Sequence, residues 1–76
     1  MEKEINLGWK TDRKDLVDAV RAMPSPQISK LLAKFMKGDP RAKGIRSFRQ
    51  EQQANLLMLG LLEGKVPEST VLTCSP

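Results

Sequence analysis

The pair Ser25-Pro26, directly behind Pro24, restricts the fold of this chain more than any other local feature. Proline has no amide to donate and a fixed φ, so neither a continuous helix nor a central strand can pass through residues 24–26. The same pair is a good helix start, with a serine to cap and a proline at the first helical position, where the missing amide costs nothing. Ile28, Leu31, Leu32, Phe35 and Met36 then recur at i, i+3, i+4, i+7 and i+8, the stripe of a helix that turns one face to a core. Gly38 is its natural stop. A helix from Ser25 to about Gly38 is therefore predicted, and the rest of the chain must arrange itself around it.

Two further helices follow from the same rules. Thr11 or Asp12 can cap a helix in which Leu16, Val17, Val20 and Met23 share one face, while Arg13, Lys14, Asp18 and Arg21 take the other; Pro24 ends it. Ser47 and Gln50 have capping-box spacing and open a helix-forming run to Glu63, which Gly64 and Pro67 terminate. Asp39-Pro40 repeats the cap-then-proline device, so residues 40–43 form either one short helical turn or a plain loop. Residues 1–10 and 66–76 read as extended tails. Within them Ile5 to Trp9 alternates with strand period and Ser69 to Cys74 is rich in β-branched residues, so a short ribbon joining the tails is an open alternative. The predicted architecture is all-α, a small three-helix domain over residues 1–76.

Size sharpens this. A chain of 76 residues is one domain and buries only roughly 60% of its unfolded surface, so a homodimer or a bound partner could complete its core. One cysteine, Cys74, allows no internal disulfide, and the lack of histidine removes every Cys and His zinc pattern, so no metal and no cofactor is expected. The first residues lack the layout of a signal peptide, and the apolar run Leu56 to Leu62 is far shorter than a membrane span, which together predict a cytoplasmic protein with no membrane role.

Charge is distributed unevenly. Residues 1–24 balance, whereas residues 25–49 carry Lys30, Lys34, Lys37, Arg41, Lys43, Arg46 and Arg49 against Asp39 alone. Such a block repels itself unless an anion offsets it. Lys30, Lys34 and Lys37 lie at i, i+4 and i+7, on the side of the helix away from Leu31 and Phe35, as a helix lying along a phosphate backbone would present them. The alternative is a solvated lysine face that keeps a small protein soluble. Two helices joined at Met23-Pro24-Ser25 also match the layout of a helix-turn-helix, with Ser25, Gln27, Ser29 and Lys30 as groove-facing candidates, although the turn lacks the usual glycine.

The second half of the third predicted helix is apolar all round, so it either lies at the centre of the domain or forms a self-association surface, with Gly60 admitting a second backbone. Trp9, Leu56, Leu59 and Leu62 are the candidate protein-interface residues. Catalysis has little to draw on. There is no histidine or tyrosine, no glycine-rich phosphate loop, and Asp12, Asp15 and Asp18 lie among basic residues on a polar helix face. The expectation is a non-catalytic, basic, nucleic-acid-binding regulator, most simply of DNA, with no small-molecule substrate. The rival reading is an adaptor or inhibitor of the kind encoded by phages and mobile elements, which would set the same cations against an acidic protein surface.

Overall fold

The computed structural model describes residues 12–73, and every regular element among them is helical. Helix α1 covers Lys14–Ala22, α2 Ser25–Phe35, α3 Gln50–Leu62 and α4 Glu68–Leu72; two 3-10 turns, Pro40–Ala42 and Ile45–Ser47, lie between α2 and α3. The predicted stripes face inward: Leu16, Val20 and Met23 from α1, and Ile28, Leu31, Leu32 and Met36 from α2 and its cap, are buried, with Val17 and Phe35 half-buried beside them.

Helix α3 is the axle of the domain. Leu56, Leu57, Met58 and Leu61 are all buried, because α2 packs on one side and α1 on another, and α4 in turn packs on α1. The chain's own helices thus cover an apolar helix that two short neighbours alone would barely enclose. Gly60 does admit a close approach, but from within the chain. A Cβ placed on it would stand 2.8 Å from Val66 Cγ2 and 2.9 Å from Met36 Sδ.

Several boundaries differ from the sequence expectation, each for a physical reason. Ser25 is the first residue of α2 and Pro24 holds the cap position; the Ser25 hydroxyl donates to Gln53 Oε1 at 2.6 Å instead of capping. Arg13, not Thr11 or Asp12, precedes α1, and its guanidinium is held by Asp15 and Glu68 at 2.8 and 2.9 Å; Thr11 lies outside the described residues. Ser47 belongs to the second 3-10 turn, where its hydroxyl donates to the Gly44 carbonyl at 2.8 Å. Helix α3 starts three residues later, at Gln50, after Phe48 in extended backbone packs against the core; the Gln52 side chain then accepts from the Arg49 amide at 3.0 Å. The Asp39-Pro40 device does form a turn, with Asp39 Oδ1 accepting from the Arg41 amide at 2.8 Å.

The largest correction is at the C-terminal side. Residues 66–76 were expected to be extended, yet Glu68–Leu72 is helix α4, a fourth helix beyond the three predicted. Thr70 and Val71 favour strand locally, but burial of Val66 and Val71, at 1% and 2% exposure, against the rest of the domain overrides that preference. The turn into it is a Schellman motif: Gly64 at φ 77°, its amide on the Leu61 carbonyl at 3.2 Å, and the Lys65 amide on the Gly60 carbonyl at 2.8 Å. The other half of the suggested ribbon, residues 5–9, lies outside the described residues, as does Trp9. Among the described residues no helix is long and apolar enough to cross a membrane.

Candidate nucleic-acid interface

Lys30 and Lys34 lie on the exposed side of α2, Lys37 in the turn just after it, Lys43 follows the first 3-10 turn, Arg46 sits in the second turn, which packs on α2, and Arg49 precedes α3. All six are exposed, and none has a carboxylate partner among the described residues. Lys34 Nζ additionally lies 5.2 Å from the centre of the Phe35 ring, a contact that leaves its charge intact.

Arg41 behaves differently from the other six. Its guanidinium meets Asp39 Oδ2 at 2.7 Å and Glu63 Oε1 at 2.7 Å, and Lys65 Nζ reaches the same Asp39 oxygen at 2.9 Å. This four-residue network ties the first 3-10 turn to the end of α3. It also consumes the charge of Arg41, so the expected set of seven phosphate-binding cations separates into six uncompensated ones and one structural one. Lys65 was not anticipated, because nothing in the local pattern at residue 65 announces a partner at residue 39.

Asp39 is the centre of that network, with a side chain only 6% exposed. Its carboxyl is held well below the usual carboxylate range, chiefly by the Arg41 side chain and then by Lys65; Arg41 likewise lowers Glu63. Groups whose folded-state values are depressed contribute stability above their unfolded value, about pH 4, and lose it as pH falls toward the folded value. The melting temperature should therefore drop on acidification from neutral pH to below about pH 4, and Asp39→Asn should reduce that dependence, leaving the part due to Glu63 and Asp15, while lowering stability at neutral pH. Thermal melts followed by circular dichroism across this range check both; an Asn variant with an unchanged acid slope would deny Asp39 this role.

Gln53 organises the interface from beneath. It is 2% exposed and fully engaged: Oε1 accepts from Ser25, and Nε2 donates to the Ser29 hydroxyl and to the Ile45 carbonyl, both at 2.9 Å. One buried amide thus fixes the start of α2 and the second 3-10 turn to α3. This has a cost for the helix-turn-helix idea, because Ser25 and Ser29, two of the expected groove-facing groups, are turned inward. Moreover, α2 packs chiefly on α3, and α1 packs on α4 and α3, rather than the two packing on each other.

Of the candidate protein-interface residues on α3, Leu56 is buried at 5% exposure, Leu59 is half-buried, and Leu62 is open at 45% at the end of the helix; Trp9 lies outside the described residues. No group of three or more His, Cys, Asp or Glu side chains able to hold a metal occurs among the described residues.

These features define a small all-helical domain with six exposed Lys and Arg residues between positions 30 and 49 that have no carboxylate partner among the described residues. No family model, no curated protein and no solved structure matches the chain.

Proposed function

We propose that the protein is a non-catalytic, cytoplasmic regulator that binds nucleic acid, most simply duplex DNA, through Lys30, Lys34, Lys37, Lys43, Arg46 and Arg49. The observation that carries this reading is the concentration of unpaired cations between residues 30 and 49: Lys30, Lys34, Lys37, Lys43, Arg46 and Arg49 have no carboxylate partner among the described residues, as is also true of Lys14 and Arg21 on α1, whereas Arg13, Arg41 and Lys65 are paired. Leaving like charges uncompensated is unfavourable for folding and useful for holding a polyanion. Its action would be occlusion or recruitment at a DNA site, with phosphate contacts supplying most of the affinity.

Fluorescence anisotropy with labelled duplex and single-stranded DNA tests the reading. Six phosphate contacts predict affinity falling roughly a thousandfold between about 50 and 200 mM salt. Replacing Lys30, Lys34 and Lys37 together by alanine should reduce the salt slope by about three and weaken binding roughly fiftyfold at low salt, without loss of helicity. Absence of binding at low salt, or a triple variant that binds like the parent, would overturn it.

A further inference from the structure

Beside the cationic face lies an open groove of about 410 Å³ between α2 and the two 3-10 turns. Its floor is apolar, formed by Leu32, Ala33, Met36, Ala42 and Ile45, and its rim carries Lys37 and Lys43. Phosphate contact accounts for the rim and leaves the floor without a use. Leu32 and Met36 are buried at its base, whereas Ala33 is exposed and Ala42 and Ile45 are half-buried, so the groove is an opening toward the core rather than a polar crease.

The charge at the groove has one sign. Asp39, at its far end, is already neutralised by Arg41 and Lys65, while Lys37 and Lys43 have no carboxylate among the described residues. An occupant complementary to this arrangement carries aliphatic side chains on one face and carboxylates along the edges. We infer that the groove is a docking site for an acidic amphipathic helix of a partner protein, whose leucine-type side chains lie over Ala33, Ala42 and Ile45 while its Asp or Glu residues pair with Lys37 and Lys43. This goes beyond nucleic-acid binding and has a regulatory consequence. Lys37 and Lys43 belong to both surfaces, so the acidic partner and DNA exclude one another, and the partner releases the protein from DNA.

The test uses the full chain and a labelled helical peptide with leucines at i, i+4 and i+7 and glutamates at the flanking positions, beside a scrambled peptide of the same composition and charge. The expected result is that the amphipathic peptide binds, the scrambled one binds about twentyfold more weakly, and unlabelled amphipathic peptide displaces peptide probe and duplex DNA alike. Ala33→Phe, at an exposed helical position, fills the groove without altering charge; it should weaken the peptide about twentyfold and leave DNA affinity within about twofold. Lys37→Gln with Lys43→Gln should weaken both ligands. Equal affinity for the two peptides, or indifference of peptide binding to Ala33→Phe in a variant of native helicity, would overturn the docking site and reduce the face to a general polyanion surface. Groove-dependent peptide binding in a protein that does not bind DNA would support the docking site while sinking the nucleic-acid reading, which keeps the two failures separate.

Discussion

Replacing Gly60 by valine is expected to leave the chain largely unfolded at room temperature. The hypothetical Cβ already stands inside contact distance of Val66 and Met36, and Val66 is stiff, fully buried and held by its amide on the Gly60 carbonyl at 3.1 Å. The two further methyl groups of valine have nowhere to go without lifting the Gly64 turn and α4 from the core. Overpacking alone costs about 1 to 3 kcal/mol for modest additions, and the displaced turn and Val66 raise it further. A domain of this length has roughly 4 to 11 kcal/mol in total, so little margin is left. Gly60→Ala is the informative partner. Alanine gains about 1 kcal/mol of helix propensity, and Met36 can swing aside, but Val66 cannot; a net loss of about 1 to 2 kcal/mol is expected. Urea denaturation of the two variants measures this. A stabilised alanine variant would mean that the turn after α3 yields more readily than its packing implies.

The second large effect is at Gln53. Gln53→Leu conserves volume but removes three hydrogen bonds at once and leaves the Ile45 carbonyl with the Phe48 amide as its partner. A loss of about 1 to 3 kcal/mol is expected, since each lost hydrogen bond contributes roughly 0.5 to 1.5 kcal/mol and the serine hydroxyls recover part of it with water. The damage should be local before it is global. Hydrogen exchange should accelerate at residues 45–48 ahead of α2 and α3, because the bond to Ile45 is what ties the second 3-10 turn to α3. Arg46 rides on that turn, so the proposed DNA binding should weaken several-fold even while the helices persist. A destabilisation below about 1 kcal/mol, or uniform exchange, would show that the turn is held by its apolar contacts instead.

The two core stripes were legible because they are local: Leu16 to Met23 and Ile28 to Met36 repeat with the helical period, and no other regular structure buries those residues together. The glycine and proline signals were legible for the same reason, as Gly38, Gly44 and Gly64 at positive φ and the Asp39-Pro40 turn show. Helix α4 was not, because its local β-branched residues argue for strand and only the burial of Val71 beside α1 argues for helix. The cap positions slipped wherever a side chain found a better partner far along the chain, as Ser25 did with Gln53, 28 residues away. In the candidate site the sequence located all seven cations and could not rank them.

What the sequence by itself determined is the all-helical class, the two inward faces and the concentration of positive charge in residues 25–49, each a property of spacing or composition within one segment. Only the tertiary structure decided that α3 is covered by its own chain, that Gly60 serves Val66 and Met36, that Arg41 is neutralised by Asp39 and Glu63, and that an apolar groove opens between Lys37 and Lys43. The physical reason is that helix formation depends on neighbours within about one turn, whereas burial and ion pairing depend on which segments the fold brings within a few ångströms of each other.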